Sequence, residues 1–451
     1  MGFAHGLDVF QPFLRRLSSG SRWSEIFVET ALELRADLID GAPRVFLQEA
    51  LGVAIRRRSD GSDLFASATI GTGDELDRLV AQLAGSGTAD PDSPLPSHIV
   101  PPSWPEFDPS RLDGLVAGID AVAAGFHAGL GDGGADGGRA TVRVRDRRYA
   151  VLNSDGEGCD ESALQVHLVA AASAGNATGH SGLARTAVCD LTTAAGHELG
   201  MQAALQASRL REAHRPTSGP RGVVFGPKPA GMLVHEVIGH GLESDAVMTR
   251  SALWNTRGSA FGPPGLQVVD DGRRPDAWER VAADEEATPL TETVLVADGH
   301  VVGALTDKVR ARALGLPASG HGRRGGFANA PLPRVRPTVV AAGRDEPDAI
   351  VGDTGDGILV HAVDSGEATV RDGRFTIKVL EAQEITGGRL GRRLTDFTIT
   401  GDLDAFQRVD GIGHDVTPYH ALCGRGMNWL PISGEAPTLR LMDVMIHGRV
   451  A

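Results

Sequence analysis

Two imidazoles and a carboxylate stand close together in His235-Glu236-Val237-Ile238-Gly239-His240, and these are residue types from which hydrolytic metal sites are built. Neutral imidazole nitrogens bind Zn²⁺, and a glutamate beside the first histidine can take a proton from water and pass it to a leaving amine. The spacing differs from that of the zincin helix, where two residues separate the glutamate from the second histidine and both rings share a face. Here three intervene, and on an ideal α-helix the rings would point about 140° apart. The helix end must therefore deform, and Gly239 and Gly241, on either side of His240, are the residues best able to let it. A second pair, His197-Glu198, has no histidine in register and reads as helix surface. The motif runs on through Gly241-Leu242-Glu243-Ser244-Asp245, and its third ligand has two sources: Glu243, three residues past His240, or a distant cysteine.

The rest of the composition narrows the setting. A chain of 451 residues, 41% hydrophobic, has enough apolar material for several cores and a length that suits two to four domains. Its net charge of −14 argues against a nucleic-acid partner, and Arg-rich runs such as Arg56-Arg57-Arg58 have no interleaved aromatics. Met1-Gly2-Phe3-Ala4-His5-Gly6 lacks the pattern of a secretory or myristoylation signal, and no stretch approaches about 18 uninterrupted apolar residues, so no membrane partner and a cytoplasmic location are expected. Three widely spaced cysteines, Cys159, Cys189 and Cys423, fit a reducing compartment better than a disulfide framework.

The elements that must position the motif can be read in outline. Residues 23 to 40 show helical spacing of apolar positions, followed by strand-like 44–47 and 52–55 and a helix over 74–83. The prolines between Asp90 and Pro109 mark a boundary, giving a first α/β domain over 1–105. A second, over 106–216, contains a helix at 112–130, paired strands at 140–144 and 149–153, a polar Ser/Gly segment, and a helix from about Arg185 to His214. In the third, 217–451, the strand Gly222-Val223-Val224-Phe225 feeds a proline-started helix that carries the metal motif, and short strands separated by turns then predict an antiparallel β structure. The fold class is α+β.

At this point the residues resemble the TldD/PmbA family of metalloproteases. The likeness covers the motif helix, Gly320-His321-Gly322-Arg323-Arg324, Pro331-Leu332-Pro333-Arg334, Cys423-Gly424-Arg425 and Pro437-Thr438-Leu439-Arg440, with weaker support from Asp372-Gly373-Arg374-Phe375. The resemblance implies a zinc peptidase whose third ligand is a cysteine of the C-terminal domain, here Cys423, expected in a Gly-flanked turn. It also implies pairing with a metal-less PmbA-type homologue, or with a second copy, around a chamber for unfolded peptides. Val237, Ser244, His321 and Met427-Asn428 depart from the family's usual residues, which leaves room for a specialised modified peptide as substrate.

The expectation is thus a peptidase in which His235, His240 and Cys423 hold Zn²⁺, Glu236 moves the proton and Glu243 supports from behind the ligands. Arg323 and Arg324, with His321 beside them, form a cationic Gly-rich loop suited to a substrate carboxylate or oxyanion. A closed four-ligand site using Glu243 would instead suit a binding or modulator subunit with a structural metal.

Overall fold

Residues 23 to 40 form a strand, β1 (Trp23–Leu38), and not the helix their spacing predicts. The reason is that β1 is central and covered on both faces, so its first seven residues are all buried and polar alternation is lost. Ile26 and Val28 face α1 (Gln11–Ser18) and α2 (Gly73–Ala84), while Leu34, Ala36 and Leu38 face α3 (Ser110–Asp132). The opposite side carries Glu25, Phe27 and Glu29 toward the C-terminal half. The computed structural model describes residues 7–39, 42–59, 62–69, 73–84, 110–425 and 428–448. The proline-rich boundary at 90–109, the first six residues and Met427 lie outside them.

β2 (Arg44–Ser59) unites the two segments read as separate strands, and β4 (Gly137–Asn153) does the same for 140–144 and 149–153, which therefore do not pair with each other. With β3 (Ser62–Thr69), β5 (Gly158–Ala174) and β6 (Ala177–Arg185), they make one antiparallel sheet in the order β3-β2-β1-β4-β5-β6. The polar Ser/Gly segment is β6. β1 pairs with β4 from Glu25↔Asn153 to Leu38↔Ala140, so segments on either side of residue 105 share a single sheet.

The helix expected from Arg185 begins later, as α4 (Thr193–Leu210), capped by the Thr192 side chain accepting from the Ala195 N–H. α3 is long and apolar enough by composition to cross a membrane between Leu112 and Asp132. In this fold it packs on α4 through glycines: a Cβ at Gly129 would lie 2.2 Å from the His197 carbonyl oxygen.

β7 (Gly219–Phe225) opens the C-terminal half and leads through Gly226 into α5 (Pro227–Val234), with proline in the first turn. β7 pairs in parallel with the strand Gly357–Thr369 and antiparallel with Leu439–His447. Pairing continues through Phe397–Gly401 and Arg374–Thr386 back to Gly357–Thr369, so five strands close into a ring. A second sheet ends in the hairpin Asn428–Ala436 and Thr417–Arg425, the latter at its edge. The antiparallel expectation is corrected at two places, β7 with 357–369 and Thr338–Val340 with 428–436, both parallel. Each joins segments separated by long connections, which permit parallel return. α5 lies between the ring and the hairpin, so the site motif begins on a helix held from two sides.

Because the α3–α4 approach leaves no room at Gly129, Gly129→Val should destabilise the chain by about 1–3 kcal/mol or more. A lowered urea midpoint of far-ultraviolet ellipticity is the expected result, and an unchanged midpoint would contradict the close crossing.

Candidate metal centre

The mismatch between histidine spacing and helix period is resolved by one wide turn. After α5, residues His235–Gly239 adopt π-helical geometry, and the His240 N–H donates to the His235 carbonyl five residues back. A π-turn brings residues i and i+5 onto one face, the correction that three intervening residues need. The rings meet edge to face with centroids 4.7 Å apart. Gly239 itself keeps right-handed helical angles, so its service is space: a Cβ there would come 2.7 Å from Val335. One tight 3₁₀ turn, His240–Leu242, follows, and Glu243 is extended.

The third member arrives from the edge hairpin. Cys423 lies within the strand Thr417–Arg425, opposite Leu430, which corrects the expected turn placement. Gly424 follows it because the Trp429 ring covers that position, 2.8 Å from where a Cβ would stand. Cys423 Sγ is 3.2 Å from His240 Nε2, and one ligand atom each from His235, His240 and Cys423 lie within 4.8 Å of one another. Glu236 stands beside them, its carboxylate oxygens 4.0 Å from His235 Nε2 and 3.9 Å from His240 Nε2.

The electrostatics suit a cation. Burial, aided by His240, Arg334 and Arg323, pushes the His235 imidazole well below its ordinary range, and neither of its ring nitrogens has a hydrogen-bond partner among the described residues. A buried neutral imidazole with free nitrogens is ready for a metal. Burial alone would depress His240 too, but the Glu243 carboxylate and the Cys423 thiol reverse this and hold it well above the usual value. Positive charge, whether proton or metal, is thus favoured on that edge. Burial raises the Glu236 carboxyl to about 7, against the pull of His240. The donor set of two imidazoles and a thiol fits zinc.

Glu243 is fully buried and faces the far nitrogen of His240, with Oε2 3.1 Å from Nδ1, a charge contact without good hydrogen-bond direction. It also accepts from the Val335 N–H at 3.3 Å and pairs with Arg334 at 3.4 Å and with Arg425. Arg334 in turn donates to Cys423 Sγ at 3.0 Å and to the Cys423 and Asn428 carbonyls. Arg334 and Arg425 therefore organise the cluster, although sequence reasoning gave them no role. The available signal was their place in the family-like segments around Pro333 and Cys423.

Arg323, Arg324 and His321 are not gathered with the cluster. Arg323 donates to Glu279 at 2.7 Å and to the Val335 and Pro431 carbonyls. Arg324 donates to Glu25 of β1 at 2.7 Å, with its guanidinium 4.0 Å over the Phe27 ring. His321 lies between Ser319 and Asp270. All three are buried, so the substrate clamp is corrected to a set of internal ties. An Arg pair in a Gly-rich loop reads the same from sequence whether its counter-charge is a substrate or a distant glutamate. His197 and Glu198 sit on α4 as exposed partners of Asp132 and Arg185.

Comparison with known proteins bears on this geometry. Residues 218–448 match the family described as PmbA/TldA metallopeptidase C-terminal domain. A "Metalloprotease TldD homolog" of Haemophilus influenzae is 28% identical over 235 residues, 51% of this chain and 49% of that protein. A "Zinc metalloprotease TldD homolog" of Saccharolobus solfataricus is 24% identical over 52% of this chain and 53% of its own length. The chain spans about half the length of the first of these relatives. Among solved structures, TldE from Thermococcus kodakarensis superposes with a TM-score of 0.71 at 17% identity, over 98% of this chain and 100% of that one, a likeness of fold.

Two outcomes follow from the burial of these groups. Glu243→Gln should retain metal but weaken its affinity by about 10–100-fold, as measured by competition with a chromogenic chelator, because the His240 ring loses its charged support; total loss of metal would make Glu243 a ligand. Arg324→Ala leaves the buried Glu25 with Arg56 as its remaining guanidinium partner and should cost about 1.5–3 kcal/mol, the size of a hydrogen bond to a charged group, read by denaturant melts; unchanged stability would contradict the tie.

Proposed function

Starting from the fact that the chain belongs to the PmbA/TldD metallopeptidase family, we propose that it is a zinc-dependent peptidase with its reaction centre at His235, His240, Cys423 and Glu236. The observation that carries the reading is the convergence of two imidazoles and a thiol, within 4.8 Å of one another, beside a carboxylate that faces both imidazoles and has no Arg or Lys within salt-bridge distance among the described residues. His235, His240 and Cys423 would hold the ion. When bound, zinc supplies Lewis acidity toward a peptide carbonyl and acidifies water.

The chain's own groups do the rest. Glu236 accepts the proton of the attacking water and returns it to the departing amine, and a carboxyl raised by burial is matched to both tasks. Glu243 fixes the His240 ring through Nδ1, and its engagement with Arg334 and Arg425 turns it away from the ligand side. That favours three protein ligands and an open position over a closed structural site. Unfolded peptides, or one modified peptide, are the proposed substrates in the cytoplasm. The proposed assembly is a dimer with a metal-less homologue or with a second copy.

The variants that test the roles separate metal from chemistry. Glu236→Gln should abolish hydrolysis of a mixed peptide pool while bound zinc stays at the parental level, whereas Cys423→Ala should lose zinc and activity together, as a chelator does to the parent. Zinc retained by the parent without any hydrolysis would favour a binding subunit, and zinc lost from Glu236→Gln would make that residue a ligand.

A further inference from the structure

The chain carries a large negative net charge, yet the broad cleft alongside its site motif is cationic. A cavity of about 1010 Å³ lies between α4 and β6 on one side and α5 and the 417–425 strand on the other. Its charged lining residues are Arg185, Arg209, Arg393 and Lys228 against Glu198 and Glu381. Three of the four cations are occupied: Arg209 and Arg393 both hold Glu381, at 2.8 and 2.9 Å, and Arg185 is 3.4 Å from Glu198. Lys228 is exposed and has no carboxylate within salt-bridge distance among the described residues.

Lys228 belongs to α5, the helix that runs into the metal motif. One turn on, Met232 lines the same cavity, and Met232 and Glu236 both lie against Gly366, where a Cβ would meet their Cγ atoms at 3.3 and 2.8 Å. Met232 is the last α5 residue on the cavity wall, and Glu236, one turn further along the chain, is not on that wall but packs beside Met232 at Gly366. Eight residues at 1.5 Å rise separate the ammonium-bearing residue from the proton-transfer residue by about 12 Å along the helix. An extended peptide covers that span in about three to four residues.

We infer that Lys228 is a specificity-determining residue that binds a substrate carboxylate three to four residues from the bond that is cut. This rests on the peptidase reading above. The carboxylate is either the peptide's C-terminus or an Asp or Glu side chain, both of which offer an ammonium group the same charge-assisted contact. Lys228 touches no reacting atom; it sets the register of the chain along α5.

Binding and turnover are measured separately so that the two readings fail separately. Four fluorescent peptides share one core and differ in a free or amidated C-terminus and in Glu or Gln at the fourth residue from the cut. Their affinities are measured by anisotropy on the zinc-loaded Glu236→Gln chain, with and without Lys228→Met, and their kcat and KM on the chain with Glu236 intact. Lys228→Met should weaken binding of the charged peptides and raise their KM by about fivefold, the size of one exposed ion pair, with kcat unchanged and the neutral peptide unaffected. Lys228→Glu should reverse the preference in favour of a Lys-bearing peptide. Whichever charged arm loses affinity identifies the source of the carboxylate. Equal effects on charged and neutral peptides, or no binding preference in the parent, would overturn the inference while leaving hydrolysis intact; a charge preference without hydrolysis would overturn the peptidase reading and the register counted from the cut, and leave only a carboxylate-binding Lys228.

Discussion

A single backbone hydrogen bond, from the His240 N–H to the carbonyl of His235, sets the local geometry on which the centre depends. With the ordinary four-residue period the two rings would diverge, and no placement of Cys423 could bring three donors together. The five-residue turn is costly in isolation because its packing is looser than that of an α-helix, and it persists where surroundings fix it. Here α5 is clasped between the strand ring and the edge hairpin, and Val335 closes on Gly239. The fold supplies the confinement, and the spacing of the motif supplies the reason for the turn.

Charge buried between the two halves is the second constraint. Glu25 receives Arg324 and Arg56, and Glu29 receives Arg147, which also reaches Glu285. Buried ion pairs of this kind add little stability over an apolar packing, but a missing partner is expensive, so they specify one docking of sheet against C-terminal half. Arg334 brings the same logic to the centre, since its donors join the thiol strand to the carboxylate that holds His240.

Much of the centre was legible in sequence because metal chemistry restricts residue type and spacing: His235, Glu236 and His240 announced themselves, and the stretched interval announced a distorted helix. Cys423 was reached through resemblance, since nothing local distinguishes a ligand thiol from a buried small side chain. The failures were of environment. β1 looked helical because both its faces are covered, and Arg323 and Arg324 looked like a clamp because their counter-charges are remote in sequence, Glu25 being 299 residues from Arg324. The polar strand β6 escaped notice for want of apolar alternation. Arg334 and Arg425 act only through groups that folding brings to them.

The ring of strands has a topological consequence. Its first strand, β7, is hydrogen-bonded to its last, with Gly219 opposite Ile446, so the C-terminal half begins and ends at neighbouring points. The stretch that matches the family, 218–448, has almost the same limits. In this chain that stretch is thus a module that shuts on itself, whose two termini emerge side by side. The joint with the N-terminal sheet crosses none of the ring's strand pairings, so the two halves are held in register by buried side-chain charge and not by a shared sheet.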